Sequence, residues 1–290
     1  MDLLSYCRMV GIQIDATPPI GVWSKYRTDD KPQHRNGRVK FMGTHAFVQN
    51  MATMSSPDTW RPEAGDEGPN IDHAEVARVI EKQRVERQAK MERAARKAAW
   101  ILGQCRNEGH PYLESHGFPL EQGNVYTHEK DGEKTKLLVI PMRVDGHLVS
   151  LQMIDPTGAK RFLKDGRTED AVFVMDNKGP PVLAEGYCKA LAARVALTAL
   201  KRRYKLICAF SASNMAKIAA NLPDCFLIAD RDAPSQHAPL PGGMGLKVAT
   251  ESGRPFWISD IEGEDFDTYL TRVGVFRASQ ALRIAMQSKG

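Results

Sequence analysis

Two stretches, Pro181-Val182-Leu183-Ala184-Glu185-Gly186 and Cys225-Phe226-Leu227-Ile228-Ala229-Asp230-Arg231-Asp232, each carry apolar side chains without interruption up to an acid. Continuous rather than alternating apolar runs of this length belong to strands buried on both faces of a parallel sheet. Between them, residues 188–201 are rich in Ala and Leu and predict a helix, 205–210 predict a second strand and 214–220 a second helix. Beyond Asp232, Gly242-Gly243-Met244-Gly245 leads into a third helix, and residues 254–258 read as a fourth strand. Strands alternating with helices give an α/β fold, a four-stranded parallel sheet with helices on both faces.

Ligands of open parallel sheets collect at the carboxyl ends of the strands, and Glu185, Asp230 and Asp232 stand there. An acid one residue past a buried strand is costly to bury unless it is paired or binds metal. Three carboxylates drawn together raise one another's pKa unless a cation neutralises them. All-oxygen donors suit Mg2+ or Mn2+. An ion held this way can bridge phosphate oxygens and polarise an attacking hydroxyl or water. A lone Glu or an Asp-x-Asp is common on surfaces. The order strand, Glu-Gly, helix, strand, helix, strand, Asp-x-Asp is far rarer.

Working outward, Asp145-Gly146 between Val144 and His147-Leu148 predicts a hairpin, and Pro156-Thr157-Gly158 turns the chain again. Lys160-Arg161-Phe162-Leu163-Lys164 then forms a basic strand. Neighbouring residues on a strand face opposite ways, so Lys160 and Arg161 do not line one groove together. The stretch reads equally as a solvated edge blunted by Lys. Residues 72–106 predict a long helix, with Asp72 and Glu75 in capping-box spacing and a narrow apolar face through Val76, Val79, Ile80, Ala94, Ala98, Ile101 and Leu102. Its charged middle, 81–96, suits a solvated helix laced by ion pairs, with a basic face beside a nucleic-acid groove as the alternative. Residues 1–70 read as short strands and loops, ending in Ser55-Ser56-Pro57 and a Gly/Pro/acidic run over 62–70. The expected organisation is a small N-terminal α+β segment (1–70), a charged helical connector (71–107), the first part of a core (108–175) and the α/β domain with a C-terminal helix (176–290).

Over 290 residues, 42% hydrophobic and 26% charged content are ordinary for a globular chain and exclude collagenous or disordered classes. A net charge of +5 leans only mildly toward a polyanionic partner. Five scattered cysteines without a C-x-x-C pair support neither a zinc ribbon nor a redox motif and predict reduced thiols. No signal peptide or membrane-length apolar run is read, so a cytoplasmic location is expected. A Gly-x-x-x-x-Gly-Lys-Ser/Thr phosphate loop is missing from the sequence, so no fused helicase motor is expected.

Leu183-Ala184-Glu185-Gly186-Tyr187 with Ile228-Ala229-Asp230-Arg231-Asp232 resembles the Toprim domain of primases, topoisomerases and small nucleases. Ala209-Phe210 to Ser213-Asn214, and His110-Pro111-Tyr112-Leu113 further upstream, are similar to stretches of primases encoded by phages and conjugative plasmids. Ile140-Pro141, Ser150-Leu151-Gln152 and 158–163 resemble the region those primases carry just before Toprim. The resemblance implies a Rossmann-like Toprim sheet, with Glu185 as general acid or base and Asp230 and Asp232 as ligands of Mg2+ or Mn2+. It implies that Asn214 orients a phosphate or water. Lys160, Arg161 and Lys164 would hold template or nucleoside triphosphate, with Arg143 and Lys189 as weaker candidates of the same kind. His110 is read as structural.

The chain also departs from that family. Gly242-Gly243-Met244-Gly245 stands where Asn-x-Gly is usual, and Asp265-Phe266-Asp267-Thr268 replaces Asp-Phe-Asn-Asp. Asp265 remains a candidate outer metal ligand, whereas Thr268 cannot supply the last charge. No zinc-binding domain is expected ahead of the core from these residues. The leading expectation is a primase-type nucleotidyltransferase that joins nucleoside triphosphates on single-stranded DNA, with a replicative helicase as a candidate partner. The alternatives are a Toprim nuclease using the same acids on water, and an accessory nucleic-acid-binding factor without turnover.

Overall fold

A computed structural model describes residues 1–51, 53–54, 57–62, 73–231 and 243–287. Asp232, Gly242, Ser55, Ser56, the run 63–70 and the capping box of Asp72 with Glu75 lie outside the described residues. The chain divides into two compact units, Met1–Ala89 and Lys90–Gly290.

In the first unit, helix α1 (Leu3–Met9) precedes strands β1 (Ile12–Gln13), β2 (Trp23–Thr28), β3 (Gly37–Phe41), β4 (Ala46–Asn50) and β5 (Asp58–Trp60). They form one sheet in the order β1-β2-β3-β4-β5, antiparallel throughout. Strict alternation of buried and half-buried residues in β3 and β4 turns Val39, Phe41, Ala46 and Val48 onto Leu3 and Cys7 of α1. Asp2 caps α1 by accepting from the Ser5 amide at 2.8 Å.

Helix α2 (His73–Gly103) is the long charged helix. Arg84 forks onto Glu81 at 2.7 and 2.8 Å in its charged middle. Within the second unit, its Ala94, Ala98 and Ile101 bury against Val139, Leu151 and Leu163, so the apolar spacing read from the sequence becomes a packing seam.

The second unit continues with β6 (Arg106–Glu108), α3 (Pro111–Ser115), β7 (Gly123–Lys130), β8 (Glu133–Val144), β9 (His147–Ile154) and β10 (Lys160–Phe162). These strands make an antiparallel sheet in the order β10-β9-β8-β7-β6. Asp145 and Gly146, both at positive φ, close the expected hairpin between β8 and β9. Asp131 and Gly132 close a second hairpin the same way. His110 is buried and caps α3, as a structural histidine should: its Nδ1 accepts from the Tyr112 amide at 3.2 Å.

The remaining elements are β11 (Phe173–Asp176), β12 (Pro181–Ala184), α4 (Tyr187–Ala199), β13 (Lys205–Cys208), α5 (Ala212–Asn221), β14 (Phe226–Ile228), α6 (Gly243–Ser252), β15 (Phe256–Trp257) and α7 (Phe266–Gln287). The sheet runs β11-β13-β12-β14-β15. Pairings among β13, β12, β14 and β15 are parallel, and β11 joins β13 antiparallel. The sheet is therefore mixed and five-stranded rather than four-stranded and parallel. Phe173–Asp176 alternates half-buried and exposed side chains, the pattern of an edge, and lacks the continuous apolar signature of its neighbours.

Alternate residues of the inner strands face two cores. Val182, Ala184, Leu206, Cys208 and Ile228 pack with α4 and α7, while Leu183, Ile207, Leu227 and Ala229 pack with α5 and α6. Both faces are covered, which is why these strands read as unbroken apolar runs. The architecture is mixed α/β with three sheets among the described residues. All five cysteines are free thiols. No helix among the described residues is long and apolar enough to cross a membrane.

Candidate functional site

Strands β12, β13 and β14 run in register, with Ala184 beside both Cys208 and Ile228. The residues just past them therefore emerge at one edge. Glu185 follows β12 and Asp230 lies two residues past β14. Asp265 immediately precedes α7, and Thr268 donates its amide to Asp265 Oδ1 at 3.2 Å, so the acid caps that helix. Lys189, from the first turn of α4, forms an ion pair with Asp230 and approaches Asp265 Oδ2 at 3.9 Å.

Burial alone would lower the Lys189 pKa, but the charges of Asp230, Glu185 and Asp265 outweigh it and hold the ammonium above the usual lysine value. Burial works against ionised Asp265. The Thr268 hydrogen bonds and the Lys189 charge prevail, and its pKa is lowered. Three acids thus surround one ammonium at the carboxyl edge of the sheet. Asp230 is 5% exposed, and its Oδ1 has no hydrogen-bond partner among the described residues. An orphaned carboxylate oxygen among oxygen-only donors fits a hard divalent cation. Glu185, Asp230 and Asp265 do not bring their ligand atoms close enough together to share an ion as they stand; Lys189 supplies the positive charge among them from within the chain.

The approach of α6 depends on Gly245. A Cβ there would meet the Asp230 carbonyl oxygen at 2.5 Å and its amide nitrogen at 2.7 Å. The Gly-rich segment that departs from the family pattern thus opens a helix pressed against the acid-bearing strand end. On the other side, Arg231 donates to the Ser259 carbonyl at 3.2 Å and its own carbonyl accepts from Gly263 at 2.7 Å. Both contacts tie Asp230's neighbour to the loop before α7.

The basic residues take up separate positions. Lys160 lies over the Tyr112 ring at 5.3 Å, while Arg161 turns toward Asp155 at 3.8 Å, as strand alternation requires. Lys164 is exposed. Arg143 donates to the Gly146 carbonyl at 3.0 Å within its own hairpin. Asn214 is buried: its Oδ1 accepts from the Asp170 amide, and its Nδ2 donates to the carbonyls of Ala171 and Ala209, each at 2.9 Å. In this geometry its amide clasps β13's end to the segment before β11.

A cavity of about 280 Å³ lies beside Asn214, walled by Phe162, Phe210, Ser211, Ser213 and Lys217 among others. Phe210 holds φ at 66°, rare for an aromatic residue, and its ring meets Phe162 edge-on at 6.3 Å.

Sequence reasoning missed a further group. His116, Cys188 and Asp267 each offer a ligand atom, and these atoms lie within 4.8 Å of one another, close enough to share one metal ion. Burial, then Asp265's charge and hydrogen bond, push the Asp267 carboxyl up to about 7. Burial pushes the Cys188 thiol up to about 12. His116 and Cys188 carried no motif signal. Asp267 did carry one, as the second acid of Asp265-Phe266-Asp267.

No family model and no curated protein matches the chain. Among solved structures, it is similar to a chain of the bacteriophage T7 lagging-strand DNA polymerase complex with primase domains bound to an RNA/DNA hybrid and dTTP. Identity is 16%, the TM-score is 0.41, and the match covers 66% of this chain and 97% of that one. A likeness that distant carries no argument about this chain's activity.

Proposed function

We propose that this chain is a Toprim-type, metal-dependent nucleotidyltransferase that synthesises short primers on single-stranded DNA. The observation that carries the reading is the convergence of Glu185, Asp230 and Asp265 around Lys189 at the carboxyl edge of the parallel strands. In this reading Asp230 and Asp265 hold Mg2+ or Mn2+, with Asp232 as the further ligand implied by the Asp-x-Asp pattern. When bound, such an ion neutralises phosphate charge and makes a contacting hydroxyl a better nucleophile.

The side chains then have distinct tasks. Glu185 shares a metal or takes the proton of the attacking 3′-hydroxyl. Lys189 is displaced from the carboxylates and meets the triphosphate, a point charge suited to phosphate. Phe162 and Phe210 offer aromatic faces on which a base can stack. Asn214 fixes the loop that carries Phe210. Lys160 contacts template phosphate, while Arg161, Lys164 and Arg143, which stand at separate positions, are further candidates for such contacts, so binding weakens steeply with salt. A replicative helicase is a candidate partner in this reading.

The same acids serve a nuclease equally well, because they do not reveal whether water or a ribose hydroxyl attacks. Single-stranded DNA incubated with labelled nucleoside triphosphates and Mg2+ or Mn2+ separates the two. Labelled oligomers that require triphosphate are expected. Metal-dependent loss of template, with no labelled product, would replace this reading by the nuclease. Neither signal, with template still bound, would favour a non-catalytic accessory factor.

A further inference from the structure

We infer that His116, Cys188 and Asp267 form a second metal site, of the zinc class, distinct from the carboxylates at the strand edge. The inference does not rest on the polymerase reading. It rests on donor chemistry, on an orphaned buried atom and on the elements the three residues join.

The donor set is one imidazole nitrogen, one thiolate sulfur and one carboxylate oxygen. Thiolate and imidazole select borderline and soft ions such as Zn2+ and disfavour Mg2+. Three protein ligands, with a fourth position left to solvent, is a familiar zinc arrangement. Tetrahedral bonds of about 2.0–2.3 Å place ligand atoms roughly 3.3–3.8 Å apart. The observed limit of 4.8 Å leaves about an ångström of closure, within reach of side-chain rotation.

Asp267 is 3% exposed, and its Oδ1 has no hydrogen-bond partner among the described residues. A buried carboxylate oxygen without a donor costs free energy unless something satisfies it. His116 is already held in place by its neighbours. His116 Nδ1 lies 2.8 Å from the Tyr112 carbonyl. A carbonyl only accepts, so this contact places the proton on Nδ1 and leaves the Nε2 lone pair available. Such an outer hydrogen bond is the usual companion of a metal-bound histidine.

The three ligands come from three elements. His116 closes the end of α3, Cys188 sits in the first turn of α4 and Asp267 in the first turn of α7. Cys188 is next to Lys189, and Asp267 is two residues from Asp265. An ion here would staple α3 to the two helices that present Lys189 and Asp265, fixing the strand-edge constellation from outside it. Binding releases the Cys188 proton to solvent as the thiolate bonds to the metal.

The test uses the full chain. Zinc content is measured after loading and dialysis, and Co2+ is titrated as a spectroscopic probe of tetrahedral thiolate coordination. The expected result is one tightly held ion per chain with a thiolate-to-cobalt charge-transfer band. Cys188→Ser should abolish the band, while Cys105→Ser and Asp230→Asn should leave it intact. Should Cys188→Ser fail to fold, His116→Ala serves instead, since His116 is only partly buried, and should weaken Zn2+ binding at least about tenfold. Absence of the band in the wild type, its persistence in Cys188→Ser, unchanged affinity in His116→Ala, or displacement of Zn2+ by millimolar Mg2+ would each overturn the inference. Loss of primer synthesis in Asp230→Asn with zinc retained would separate this site from the polymerase reading.

Discussion

Glu264 is 5% exposed and ionised, a costly combination unless every oxygen is engaged. Arg272 donates Nε to Oε1 at 2.6 Å and Nη2 to Oε2 at 2.9 Å, and the Ser259 hydroxyl donates at 2.5 Å. These bonds, Arg272's first, hold the Glu264 carboxyl below its usual pKa. Because the folded pKa is depressed, the stabilisation is complete above the unfolded carboxyl's value of about 4.3 and is lost as pH falls through the folded value. Glu264→Gln should cost roughly 1.5–3 kcal/mol at pH 7. The lower end is expected because Arg272 is about half exposed and solvent screens the pair. Urea melts of both proteins should converge as pH drops below that of the folded carboxyl. A gap that stays constant from neutral to acid pH would show that the charge is not what stabilises.

At the scale of elements, Gly245 sets the distance between α6 and the strand end bearing Asp230. In an unconstrained helix, Gly→Ala stabilises by about 0.5–1 kcal/mol. Here the added Cβ meets Asp230 backbone, which cannot move aside as a flexible side chain would. Gly245→Ala should therefore destabilise, by roughly 1–3 kcal/mol, and lower synthesis with every carboxylate intact. Thermal melts decide the sign, and a stabilised variant would show that α6 is not pressed on the site.

The parallel strands and their helices were legible because strands buried on both faces leave unbroken apolar runs, with an acid marking where each run leaves the core. β11 was not, since an edge strand half open to solvent carries no such run. The hairpin at Asp145-Gly146 announced itself, yet the identical Asp131-Gly132 turn passed unread because charged residues flank it. Lys189 ranked as a minor candidate, although it is the ammonium around which the acids gather. Only the fold brings the first turn of α4 to Asp230 and Asp265. His116 and Cys188 lie 72 residues apart in the sequence, and no spacing rule joins them.

Across the whole molecule, the second unit carries every residue to which the proposed function gives a role, from Arg143 to Asp265. The central claim is that the chemistry takes place at the carboxyl edge of its parallel strands. The most direct test is template-directed incorporation of labelled nucleoside triphosphate by the full chain beside Asp230→Asn, a nearly isosteric change that removes one negative charge. Wild type should form labelled oligomers in Mg2+ or Mn2+, and Asp230→Asn should lose at least about a hundredfold in rate, the scale of a single electrostatic contact in a catalytic site. Equal synthesis by both proteins would contradict the account and place the chemistry elsewhere.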